Sequence, residues 1–134
     1  MPTDPVSTPI DPIEQSAPAG ASSADLYQLG AMSPSVMQSV SSELLVVPVM
    51  ASLAGAAVDP SGATVEFAFV AIGALPADSD WLAGAWQTYS AYGLTRYVAA
   101  YEVSGFAAGE YDVWLRITDS SIVPVDYLGR LEIR

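Results

Sequence analysis

Between Glu110 and Thr118 the side chains alternate without a break, with Tyr111, Val113, Leu115 and Ile117 on one side and Glu110, Asp112, Trp114, Arg116 and Thr118 on the other. A period of two belongs to an extended strand, whose successive side chains point to opposite faces; a helix stripe needs a period near 3.6. The first set should therefore face a core and the second should face outward. The same period returns between Ala63 and Ile72, where Val65, Phe67, Phe69 and Ala71 alternate with Thr64, Glu66, Ala68 and Val70. It returns again from Val125 to Arg134, with Val125, Tyr127, Gly129, Leu131 and Ile133 expected inside and Asp126, Leu128, Arg130, Glu132 and Arg134 outside. Further strands are expected at Glu43–Met50, Trp81–Thr88 and Arg96–Val103. Pro48 has no N–H for a ladder, which places its strand at a sheet edge or at a switch between sheets.

Residues 41–134 thus hold six or seven short strands, broken by turns such as Val58-Asp59-Pro60-Ser61-Gly62. A chain of 134 residues supports one core of ordinary size. The fold class these features predict is all-β, an immunoglobulin-like β-sandwich of about seven strands. Its core should include Phe67, Phe69, Tyr111, Val113, Leu115, Leu131 and Ile133 together with one of Trp81 and Trp86. Tyr111 stands at the start of the penultimate strand, where a tyrosine corner bonds back to the preceding loop, near Gly105 to Ala108.

Ahead of the sandwich the composition changes. Residues 1–40 contain six of the ten prolines, and their only charges are Asp4, Asp11, Glu14 and Asp25. Such a segment buries too little apolar surface to offset its ordering entropy, so it reads as an extended N-terminal arm. Its apolar residues Ile10, Ile13, Leu26, Tyr27, Leu29, Met32, Val36 and Met37 are spaced among polar ones, as in a segment that docks on a partner. Ser33-Pro34 followed by Met37, Val40 and Leu44 predicts a short helix near residues 34–42.

The chemistry open to this chain is narrow. Fifteen acidic residues stand against four arginines, Arg96, Arg116, Arg130 and Arg134, for a net charge of -11, and Lys, His and Cys are absent. Triads, thiolate nucleophiles, Schiff-base lysines and Cys/His zinc sites are excluded. A carboxylate pair of the glycosidase kind would draw on Glu66, Glu102, Asp112 and Glu132, but all four occupy outward strand positions that read as a solvated face. No enzymatic activity and no cofactor are expected. Asp59, Asp78 and Asp80 offer loop oxygens suited to calcium and equally suit turns and caps; no glycine-punctuated acidic loop accompanies them. Nucleic acid is disfavoured by the charge. The longest uncharged apolar stretch, Phe67–Ala77, is shorter than the ~18 residues of a spanning helix, so no membrane is expected. Met1-Pro2-Thr3-Asp4-Pro5 lacks the basic and apolar regions of a secretory signal. Trp114 faces outward on its strand and should be covered, either by the domain's own loops or by a neighbouring subunit.

Several runs together carry a resemblance. Leu45-Val46-Val47-Pro48-Val49, the Val58–Gly62 turn leading into Val65-Glu66-Phe67-Ala68-Phe69, Asp80-Trp81 with Gly84-Ala85-Trp86, the run Gly109–Asp119, and Pro124-Val125 resemble a small immunoglobulin-like protein of the structural gene blocks of tailed phages of actinobacteria. The resemblance spans residues 43–134. It implies a virion structural protein, made in the host cytoplasm and placed on the capsid surface, with no catalytic residues. In that setting the chain is expected to act as a capsid decoration or cement protein whose arm binds the major capsid protein or other virion subunits, with self-association also open. Alternatives are a head-to-tail connector or tail accessory subunit, and a carbohydrate- or host-surface-binding module.

Overall fold

The computed structural model describes residues 27–53, 55–119 and 123–134. The strands are β1 (Tyr27–Leu29), β2 (Val36–Met37), β3 (Glu43–Leu53), β4 (Ala56–Val58), β5 (Thr64–Ala71), β6 (Trp81–Ala83), β7 (Ala85–Ala91), β8 (Leu94–Val103), β9 (Gly109–Thr118) and β10 (Val125–Ile133). One sheet has the order β1-β3-β8-β7, with β4 on the end of β3, and the other has the order β2-β10-β9-β5-β6. This is the two-sheet order of an immunoglobulin-like sandwich, with the first strand divided so that β1 closes one sheet and β2 closes the other. All pairings are antiparallel except β2 on β10.

The inward set of each strand meets between the sheets. Leu45, Val47 and Val49 of β3 pack with Val65 and Phe67 of β5, with Val113, Leu115 and Ile117 of β9, and with Leu131 and Ile133 of β10. Phe67 and Leu115 are cross-strand partners and both are fully buried, as the alternation requires. Phe69 and Tyr111 sit at the edge of this cluster with Phe106, whose ring meets both edge-on. The Tyr111 hydroxyl donates to the Ala107 carbonyl at 2.6 Å, which is the expected tyrosine corner. Of the two candidate tryptophans, Trp86 packs on the core, and its indole N–H donates to the Ala63 carbonyl at 2.8 Å.

Five expectations need correction. The sandwich does not begin at residue 41. Tyr27–Leu29 pairs with Ala51–Val49 of β3, and Val36–Met37 runs parallel to Glu132–Ile133 of β10, so residues 27–40 are not part of an arm. The predicted helix near 34–42 is absent because its backbone groups are taken by other strands. Glu132 N–H donates to Ser35, Arg134 N–H to Met37, and Ser39 N–H to Arg134. Between the two strands the chain crosses from one sheet to the other through a cis Ser33–Pro34 peptide.

The expected strand Trp81–Thr88 is two strands in different sheets, divided at Gly84. A Cβ on Gly84 would lie 2.9 Å from the Phe67 ring and 3.0 Å from the Ala100 carbonyl oxygen, so the crossing needs glycine. The inside-outside assignment of the last strand also fails over its first half. The register of β10 on β9 shifts between Tyr127 and Gly129, a bulge that turns Val125 and Tyr127 outward while Leu131 and Ile133 stay inside.

Pro48 lies in neither predicted place. Its strand is interior, bonded to β8 along Glu43–Val49. The proline is tolerated because its ring nitrogen faces the β1 side, where the ladder ends at Leu29 and Gly30 N–H donates to the Pro48 carbonyl.

Candidate interaction surfaces

Nine residues were candidates for partner binding. Ile10, Ile13 and Leu26 lie outside the described residues. Most of the others are used inside the molecule. Tyr27 is 7% exposed and Met37 2% exposed, and Leu29 and Met32 pack against the same core. The Tyr27 hydroxyl donates to Asp119 at 2.8 Å, a bond across 92 residues of sequence that ties β1 to the end of β9. Burial first, and then this bond to a carboxylate, push the Tyr27 pKa up to about 12. Val36 keeps an exposed side chain beside β10. An open cleft lined by Tyr27, Gln28, Leu29, Asp126, Tyr127 and Leu128 follows the seam between β1 and the start of β10.

Trp114, the ninth, lies on the outer face of the β2-β10-β9-β5-β6 sheet, and its own chain covers much of it. Its strand neighbours there are Ala68 and Tyr127, and its ring centroid is 5.3 Å from that of Tyr127. The indole N–H is buried and has no hydrogen-bond partner among the described residues. Around it the polar groups pair. Arg116 bridges to Glu66 at 2.8 Å and lies 4.6 Å over the Trp81 ring. Asp112 accepts from Gly73 N–H at 2.8 Å and from the Tyr127 hydroxyl at 2.9 Å. The Gly73 bond chiefly holds the Asp112 carboxyl below its ordinary pKa, and the bond to Asp112 raises that of Tyr127. This face is knit together from within.

The outer face of the other sheet has a different character. Tyr101 of β8 packs on Phe67 and Phe69, so Leu94, Arg96, Val98, Ala100 and Glu102 face outward by alternation. Their neighbours form cross-strand rows: Val46, Ala100 and Ala85; Pro48, Val98 and Gln87; then Arg96 and Tyr89. Val98 and Ala100 are buried in the middle of the face, while Met50 is 65% and Leu94 59% exposed at one end. Leu44, Pro48 and Tyr89 are exposed as well.

The charges on these β3, β8 and β7 positions are Arg96 and Glu102. Glu102 accepts from the Ser42 hydroxyl, whereas the Arg96 side chain makes no ion pair or hydrogen bond among the described residues. Sequence reasoning passed over this face, though β3 carried its signal. Leu44 to Met50 is apolar at every position, and in a sandwich an unbroken apolar run marks a strand covered on both faces.

The β7–β8 hairpin closes through Tyr92 and Gly93, both at positive φ, 53° and 75°. That is a type I′ geometry, and Tyr92 adopts it with its side chain fully exposed. Of the acidic loop residues weighed as metal ligands, Asp59 accepts from Ser61 N–H and Asp80 from Ala77 N–H, both at 2.8 Å, so each caps a 3-10 turn. Ser61 holds Asp59 below its ordinary pKa. Among the described residues no three His, Cys, Asp or Glu side chains are grouped to hold an ion. Compared with known proteins, the chain matches no family model and no curated sequence.

Proposed function

We propose that this chain is a virion structural protein, a capsid decoration subunit that binds the capsid lattice through residues 1–26 and presents the sandwich as its folded body. The observation that carries this reading is the clamp at residue 27. Tyr27 is buried and bonded to Asp119, and β1 and β2 tie the following residues to both sheets, so a segment bound to a lattice would pull against the core. Residues 1–26 hold five prolines, which limit the entropy lost when an extended segment docks, and Ile10, Ile13 and Leu26 supply apolar contacts. Their charges are all acidic, so the groove that receives them would be apolar and basic. The resemblance of residues 43–134 to a small immunoglobulin-like protein of the structural gene blocks of tailed phages points the same way.

The test adds purified protein to particles that lack it. Full-length chain should saturate the particles, and chain lacking residues 1–26 should remain folded and stay in the supernatant. Saturation by the shortened chain would refute the arm as the docking element.

A further inference from the structure

We propose that the outer face of β3, β8 and β7 is covered by the same face of a second copy of this chain, in a two-fold dimer. The face is apolar on a molecule of net charge -11, and its cation and anion sit on one strand, six residues apart, with Ala99 midway between them. A two-fold axis in the plane of the interface, crossing β8 at Ala99 at right angles to the strand, reverses the strand direction. It therefore lays Arg96 on Glu102 of the second copy, and Glu102 on Arg96 of the second copy. The charges are self-complementary in the way an isologous interface demands, where residue i meets j and j meets i.

The neighbouring strand obeys the same operation. In β3, Pro48 lies in the Val98 row and Val46 in the Ala100 row, so each falls on the other's counterpart. Met50 and Leu44, one step further out on either side, do likewise. Val98 and Ala100 at the centre are already screened by their own chain, so the area that a second copy would cover lies on the exposed Leu44, Pro48, Met50 and Leu94 around them. A parallel arrangement of the same faces would stack Arg96 on Arg96 and lose this match. The dimer would also give the Arg96 side chain the acidic partner it lacks among the described residues.

Sedimentation equilibrium of the full chain over a concentration series tests this. The expected mass rises toward twice the 14.0 kDa of one copy. Arg96→Glu and Glu102→Arg should each raise the dissociation constant ~100-fold or more, because each places like charges together at two symmetry-related points. The combined Arg96→Glu/Glu102→Arg chain should recover to within ~10-fold of the original, since the pair is restored with its signs exchanged. Met50→Asp is the companion variant on the apolar part of the face, and it should weaken the dimer without touching either charge.

Circular dichroism of each variant establishes that the sandwich is intact; all three positions are exposed, so no core packing is removed. A chain that stays monomeric at every concentration would overturn the proposal. So would a dimer that neither charge reversal weakens, the result expected if β7 paired edge to edge, or a double variant no better than the single ones. The dimer needs no particle, so its failure and the failure of particle binding are separate results.

Discussion

The Tyr111 hydroxyl holds the loop before β9 through one bond to Ala107. Tyr111→Phe keeps the ring against Phe106 and removes that bond, so it should cost about 1 kcal/mol in chemical denaturation with an unchanged slope. An unchanged midpoint would show that the corner contributes nothing.

Asp112 makes a prediction of a different kind. Its folded-state pKa is lowered, so the stability it contributes is present above the ordinary carboxylate pKa and is lost as pH falls through the folded value. Asp112→Asn should therefore melt below the parent at neutral pH, and the gap should close on acidification. A gap that is constant from neutral pH to pH ~3 would contradict the role assigned to that carboxylate.

At this scale the sequence was a good guide wherever the period of two ran unbroken. Leu115, Val113 and Phe67 are inside because alternation and burial agree. Tyr127 was misplaced because one extra residue at a bulge reverses every side chain before it; Gly129, a strand glycine at positive φ beside the shift, is the sign of that bulge, and the unbroken alternation hid it. Asp119 as the partner of Tyr27 was out of reach for another reason: the pairing follows from the fold of the whole chain.

Among the elements, the two short strands β1 and β2 and the crossing at Gly84 decide how the sandwich closes. Gly84→Ala would force a Cβ against the Phe67 ring and the Ala100 backbone, and should cost about 1–3 kcal/mol in the same denaturation measurement. A neutral result would mean that the sheets part there without strain. Truncation separates the arm from the strands. Removal of residues 1–26 leaves every described element in place and should barely move the melting temperature. Removal of residues 1–40 strips Tyr27 and Met37 from the core and uncovers the edges of β3 and β10, so it should melt far lower or fail to fold. Equal melting of the two would return residues 27–40 to the arm.

The strands β3, β5, β8 and β9 were legible, since each carries an alternating or apolar run long enough to declare itself. β1 and β2 were not. Three and two residues hold no period, and the proline-rich composition around them pointed to an arm. Ser33-Pro34 and the spacing of Met37, Val40 and Leu44 favoured a helix locally, and pairing with β10 overrode that preference.

For the whole molecule, the absence of Lys, His and Cys directs attention from catalysis to surfaces, and the two outer faces differ in a way that composition hides. One is laced by Glu66–Arg116, Asp112–Tyr127 and the Trp81–Arg116 contact; the other is apolar around Val98 and Ala100. A dimer through the apolar face would carry two N-terminal segments, and two linked weak contacts bind a repeating lattice far more tightly than one. The central claim, a decoration subunit, is tested most directly by the number of copies of this chain per purified virion, measured by quantitative mass spectrometry against the major capsid protein. A decoration subunit should be present at a fixed ratio to the capsid protein and of the same order as it. A copy number confined to a single vertex or to the tail would contradict the account and assign the chain to the head-to-tail connector or the tail.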